Sequence, residues 1–306
     1  MIKPSYLSRF GNRKSKIALV APARKITLEE ISFAIEYIRG RGFDVVYDER
    51  LFLSYNQFAG TDEERAAVLQ QYLDDDNIDT IMCVRGGYGT IRIIDRLNFD
   101  KFMQNPKWVV GYSDVTVLHA KLQSLGVESL HATMPINFKE NTKTSLDSLF
   151  DALEGKELSY EVEPTDKVQS LKSKVQSLEG ELVGGNISVL YSLLGSDIFP
   201  DTRGKILFLE DLDEYLYHID RMMFAFERAG KLDGIKGLVV GGLTKMHDNT
   251  VSFGQPAEEI IWERVEYKNI PVIFDFPAGH IDDNRALILG RMTKIEVVEK
   301  ITIKQK

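Results

Sequence analysis

Ser113 stands where a short apolar run, Trp108-Val-Val110, is broken by Gly111 and gives way to Asp114–Gln123, a stretch with apolar residues at helical spacing. A serine at a strand-to-helix turn has the layout of a nucleophile elbow. The tight turn lifts the hydroxyl clear of the sheet edge, and the free N–H groups of the new helix face any negative charge that develops beside it. The chemistry indicated is attack of a serine hydroxyl on a carbonyl carbon. The second glycine of Gly-x-Ser-x-Gly is absent, with Val115 in its place. The competing reading of such a serine is an ordinary helix N-cap.

A nucleophilic serine needs a base, and the base needs an orienting acid. There are five histidines. His119 lies inside the helical stretch, directed away from the elbow, and reads as structural. His131 follows an apolar segment and can line a sheet edge. His218 lies in a charged helix and His247 in the polar turn Lys245–Asn249. His280 ends Phe274-Asp-Phe-Pro-Ala-Gly-His280, an apolar strand followed by a Pro/Gly turn that holds a side chain rigidly at a loop edge; it is the candidate base. For the acid, Lys205-Ile-Leu-Phe-Leu209 runs straight into Glu210 and Asp211, with Asp213 and Glu214 behind. A carboxylate leaving a core strand is best placed to reach inward, which selects Glu210 and keeps Glu214 in reserve.

Two glycine clusters follow strand-like runs. Arg85-Gly-Gly-Tyr-Gly89 can cradle phosphate or donate an N–H to an oxyanion hole. It lacks the dinucleotide spacing, and no Gly-Lys-Ser/Thr occurs. Gly184-Gly-Asn186 is a second strand–turn–helix join with Asn186 as cap, read either as close backbone packing or as cleft lining. No His-x-x-x-His or Cys-x-x-Cys is present, so neither a metal nor another cofactor is called for. Cys83, the single cysteine, sits in an apolar strand-like run and reads as buried and inert.

These residues require an α/β frame. Lys16–Val20, Asp44–Tyr47, Asp79–Val84 and Trp108–Val110 read as strands, alternating with helices that open at Thr27 and at Thr61, where Glu64 completes a capping box. That alternation predicts a parallel, doubly wound sheet with ligands outside the carboxyl ends of its strands, where Arg85–Gly89 and Gly111–Ser113 both fall. Composition shifts near residue 140. Residues 1–140 are expected to form an N-terminal α/β domain carrying the elbow. Residues 141–175, polar and repetitive around Gln169 and Gln176, are expected to be a connector with short edge strands. Residues 176–306 are expected to form a smaller C-terminal domain carrying the acid and the base. Its strands are Lys205–Leu209, Gly237–Val240, Pro271–Phe274, Ala286–Leu289 and Lys294–Val298, with a helix from about Tyr215 to Ala229.

The 306 residues are 43% hydrophobic and 27% charged, with a net charge of −8. That acidity argues against nucleic acid as partner. No apolar run reaches the roughly 18 residues of a membrane span, and the first residues lack the core of a signal peptide. With one cysteine, the chain fits a reducing, cytoplasmic setting.

In order along the chain, Gly60-Thr-Asp-Glu-Glu-Arg65, Arg85-Gly-Gly-Tyr-Gly89, Gly111-Tyr-Ser-Asp114, Gly184-Gly-Asn186, Leu209-Glu-Asp211, Tyr217-His-Ile-Asp-Arg221 and Gly279-His280 resemble the LD-carboxypeptidase family of serine peptidases. The resemblance runs through most of the chain. It implies a flavodoxin-like N-terminal domain, a swivelling β/α C-terminal domain and a cleft between them. It implies a Ser113–Glu210–His280 triad, an oxyanion hole from the N–H groups of Gly87 and Asp114, and substrate contacts from Arg85, Gly86, Tyr112 and Asn186. A free substrate carboxylate would suit Arg85 or another basic residue. The implied substrate is a murein-derived tetrapeptide losing its terminal D-alanine, and the implied assembly a homodimer. The alternatives are a microcin C-type self-immunity peptidase and, in a different class, a non-catalytic two-lobed protein binding a small ligand. The first would favour a longer aromatic-bearing loop than Gly242–Phe253. Two stretches depart from the family pattern: Ala21-Pro-Ala23 stands where Pro-Ser is usual, and His131-Ala-Thr-Met134 where His-Gly-Pro-Met is usual.

Overall fold

The computed structural model describes residues 2–4, 14–162, 177–297 and 300–306. In the first half, strands and helices alternate: β1 (Lys16–Val20), α1 (Leu28–Gly40), β2 (Asp44–Val46), α2 (Asp62–Asp74), β3 (Thr80–Cys83), α3 (Asp100–Gln104), β4 (Trp108–Gly111), α4 (Thr116–Ser124) and β5 (Ser129–His131). Capping boxes start α1 at Thr27 with Glu30 and α2 at Thr61 with Glu64, each satisfying N–H groups that the first turn leaves free. β3 and β4 are buried along their whole length, as strands covered on both faces must be. The five strands are parallel in the order β2-β1-β3-β4-β5. This is the flavodoxin-like arrangement, and its strand order reverses between β1 and β3, which opens a crevice at their carboxyl ends.

The chain continues with α5 (Lys143–Leu153), β6 (Leu158–Val162), β7 (Ser177–Asn186), α6 (Ile187–Ser192), β8 (Ile206–Leu212), α7 (Leu216–Arg228), β9 (Gly237–Thr244), α8 (Ala257–Glu263), β10 (Val272–Ile273), β11 (Leu287–Leu289), β12 (Met292–Val297) and β13 (Ile301–Gln305). A second sheet runs β10-β9-β8-β7-β12-β13-β6. Its first four strands are parallel and the remainder antiparallel. The long strand β7 joins the two parts, pairing with β12 through Ser177–Glu181 and with β8 through Leu182–Asn186.

Two elements cross the boundaries expected from composition. Residues 143–153 are not a bare connector: α5 buries Leu146, Leu149, Phe150 and Leu153 in the core. The connector's repeats around Gln169 lie outside the described residues, and β6 forms the edge of the second sheet. Residues 287–289, expected to belong to the C-terminal domain, form β11, which pairs antiparallel with β5 and extends the first sheet. One apolar cluster accordingly runs from Leu19, Met82, Trp108 and Val110 of the first sheet to Leu182, Phe208, Val239 and Ile295 of the second. A second cluster covers the other face of the first sheet, and a third packs α6, α7 and α8 on the second.

Candidate active site

β4 ends at Gly111, whose φ of +157° passes a point where a Cβ would lie 2.8 Å from Val115. Ser113 then takes φ +63°, left-handed for a residue with a side chain. Holding a non-glycine residue there costs of order 1–3 kcal/mol, and the surroundings enforce it. The strand fixes one side, the 3-10 turn Ser113–Val115 leads into α4 on the other, and the buried His119 ring hydrogen-bonds Gly111 O at 2.9 Å and Ser129 Oγ at 2.9 Å. His119 is therefore structural, but its ring reaches back beneath the elbow. Burial drives its pKa down to about 3, so it is neutral.

The glycine loop lies directly against the serine. A Cβ on Gly86 would meet Ser113 Cβ at 3.1 Å and Oγ at 3.3 Å, and Gly87 takes φ +106°. Asp114 ties this loop to the elbow: its Oδ2 accepts from Thr90 N at 2.9 Å and from Thr90 Oγ1 at 2.6 Å. Burial raises the Asp114 pKa despite these bonds. Behind it, buried Arg65 donates to the carbonyls of Pro22 and Gly89 and pairs with Asp62.

The acid and the base come from the other sheet. Glu210, in the carboxyl-terminal half of β8, is fully buried, and its Oε2 meets His280 Nδ1 at 2.7 Å. A Cβ at Gly279 would sit 2.6 Å from that oxygen, so only glycine lets the chain pass here with its φ of +100°. Gly279 N donates to Asn284 Oδ1 at 2.8 Å, and Thr244 Oγ1 donates to His280 O at 3.1 Å, which fixes the loop. Burial disfavours a charged imidazole, yet the Glu210 carboxylate outweighs it, and the His280 pKa stands above its ordinary value. Burial likewise pushes Glu210 up, but the charge and hydrogen bond of His280 prevail and hold it below the usual carboxylate range. Glu214 instead contacts His218 Nδ1 at 2.5 Å.

Ser113, His280, Arg85, Gly86, Gly87, Tyr112 and Asn186 all line one cleft of about 520 Å³, with Glu210 and Asp114 buried beneath it. Tyr112 packs edge-on to the imidazole with ring centres 4.8 Å apart. Asn186 caps α6 through Val189 N and donates to Asp211 Oδ1 at 2.9 Å. Asp211, buried beside Glu210, is pushed up to about 7. With Nδ1 held by the carboxylate, Nε2 is the imidazole nitrogen left to exchange a proton, which is the arrangement of a general base.

One residue of the cleft is not singled out by the sequence. Arg24 lines the cleft from the loop after β1, and its position at a parallel strand's carboxyl end was the available signal. His131 lies wholly buried rather than along a sheet edge. Its ring packs edge-on to Phe208 with ring centres 4.9 Å apart, neither nitrogen finds a partner among the described residues, and burial drives its pKa down to about 4. Among the described residues no group of His, Cys, Asp or Glu is arranged to hold a metal, and no helix is long and apolar enough to cross a membrane.

The family description of the LD-carboxypeptidase N-terminal domain matches residues 17–132, and that of the C-terminal domain residues 179–295. A protein of Bacillus subtilis named as a probable murein peptide carboxypeptidase is 30% identical over 306 residues, covering 98% of this chain and 94% of that protein. The murein tetrapeptide carboxypeptidase of Pseudomonas aeruginosa is 25% identical, covering 92% and 93%. The crystal structure of muramoyltetrapeptide carboxypeptidase from Oxalobacter formigenes superposes with a TM-score of 0.85 at 26% identity, covering 95% of this chain and 98% of that one.

Proposed function

The chain belongs to the LD-carboxypeptidase family of serine peptidases, and from that premise we propose that it removes the terminal D-alanine of a murein tetrapeptide. The bond cut joins the L-centre of the third residue to D-alanine. The observation that carries this reading is the meeting of Ser113 and His280 in one cleft, with the imidazole held by buried Glu210.

In the proposed mechanism, His280 Nε2 takes the Ser113 proton as Oγ attacks the carbonyl carbon. Glu210 steadies the imidazolium, and the N–H groups of Gly87 and Asp114 receive the oxyanion, each worth about 3 kcal/mol in the transition state. The imidazolium passes its proton to the departing amine of D-alanine. Water, deprotonated by the same nitrogen, then releases the acyl group. Arg85, Gly86, Tyr112 and Asn186 contact the substrate.

The test is mass spectrometry after incubation with L-Ala-D-Glu-diaminopimelate-D-Ala. Loss of one alanine is expected, and Ser113→Ala, folded by circular dichroism, should lose on the order of 10⁶-fold in kcat. Cleavage at another bond, or full activity in the variant, overturns the reading. A cytoplasmic homodimer completes the proposal, resting on the family's habit and the single cysteine; sedimentation as a monomer at working concentration would remove the dimer.

A further inference from the structure

A carboxypeptidase must recognise a chain end. The free carboxylate of the departing residue lies only a few bonds from the scissile carbonyl, so a cation that reads it must open on the cleft near Ser113. Among the residues lining the cleft, Arg24 and Arg85 carry the permanent positive charges. The part of the lining that follows β8 carries Asp213 and Glu214, where a carboxylate would meet like charge.

The two arginines are not equivalent. Arg85 is committed to α1 and the loop before it, with its Nη1 3.4 Å from Glu30 Oε1 and 3.3 Å from Lys25 O. Glu30 is itself fixed, because its carboxylate also closes the capping box at Thr27. Arg24 is exposed, and its guanidinium makes no hydrogen bond or ion pair among the described residues. Its stem lies over the glycine loop: a Cβ on Gly87 would fall 2.2 Å from Arg24 Cδ and 2.5 Å from Cγ. The glycine makes room for the arginine, and its neighbour Gly86 touches Ser113. Arg24 leaves the carboxyl end of β1 and Arg85 that of β3, so the guanidinium stands at the crevice where the strand order reverses.

We propose that Arg24, rather than Arg85, anchors the free α-carboxylate of the departing C-terminal residue, a contact that makes the enzyme an exopeptidase. The inference rests on the carboxypeptidase reading and deepens it. A guanidinium suits the task because its planar fork meets both carboxylate oxygens, and a charge-assisted pair of this kind is among the stronger hydrogen bonds.

The test compares the tetrapeptide acid with the same peptide ending in a carboxamide, for the wild type and for Arg24→Gln, Arg24→Lys and Arg85→Gln. The wild type is expected to favour the acid by on the order of 10²-fold in kcat/KM. Arg24→Gln should bring the acid-to-amide ratio close to one, chiefly by losing rate on the acid. Arg24→Lys should restore part of the ratio, because a point charge replaces the fork. Arg85→Gln should keep the wild-type ratio. If Arg24→Gln slows both peptides equally and keeps the ratio, the side chain is only structural and the proposal fails. If the ratio collapses in Arg85→Gln instead, Arg85 is the anchor and the proposal fails. A wild type that releases no alanine from the acid refutes the carboxypeptidase reading itself, a result distinct from either of these.

Discussion

Glu210 is a carboxylate with no exposure to solvent, and it stays ionised because His280 faces it at 2.7 Å. Removing one member of such a pair leaves the other in a low-dielectric site, and the pH profile records the loss. His280 acts as a base only when neutral, so kcat/KM should rise with pH through the folded imidazole pKa. Because Glu210 raises that pKa, the acid limb is expected above the ordinary histidine value of about 6.5. Glu210→Gln withdraws the raising charge. The limb should move to lower pH while the plateau falls by on the order of 10⁴-fold, the loss seen when a triad acid becomes an amide. A limb that stays in place would mean that another carboxylate sets the imidazole, and Asp211→Asn, whose charge also acts on His280, is then the variant to measure. Positions of this kind are legible in sequence because a polar residue ending an apolar strand has few places to point. His131 is not legible in that way. It sits in Ser129–His131, a short strand whose burial comes from β4 on one side and β11 on the other, and the second neighbour lies far along the chain.

At the scale of elements, the elbow and the glycine loop are held as one unit by the Asp114 carboxylate. Asp114→Ala strands a buried N–H and a hydroxyl at Thr90, and each unsatisfied group costs about 1–3 kcal/mol. The variant should lose about 2–6 kcal/mol in urea unfolding, and kcat should fall further than KM rises, because the loop that carries the Gly87 N–H is released. Asp114→Asn keeps an acceptor oxygen and should recover most of the stability. Equal losses in the two variants would show that the charge, not the hydrogen bonding, holds the loop. The elbow was readable because an apolar run, a glycine and a helical period follow one another locally. Helix α5 was hidden by its setting. Leu146, Leu149, Phe150 and Leu153 have helical spacing, but they stand among Lys, Thr, Ser and Asp, and the polar composition from Lys139 onward masks the period.

At the scale of the molecule, the strand alternation of the first half announced the flavodoxin-like sheet, whereas the return of β11 to β5 had no local signal, since Leu287–Leu289 pairs with residues more than a hundred positions earlier. The turn after β11 carries Arg291, whose Nε lies 3.1 Å from Glu128 Oε1 in a buried ion pair just before β5. One core cluster spans both sheets. These links tie the lobe bearing Ser113 to the lobe bearing Glu210 and His280, and they predict that both unfold together. Glu128→Ala removes the carboxylate opposite a buried guanidinium and should cost about 3–5 kcal/mol. Trp108 lies in β4 and Trp262 in α8, one tryptophan for each sheet's surroundings. Urea unfolding of Trp108→Phe and Trp262→Phe, each with and without Glu128→Ala, follows the remaining tryptophan alone. Coincident midpoints that shift together on loss of Glu128 are expected. A shift confined to the Trp108 signal would mean that the lobes are separate cooperative units. The catalytic cleft would then be a contact between two independently stable bodies, not a feature of one fold.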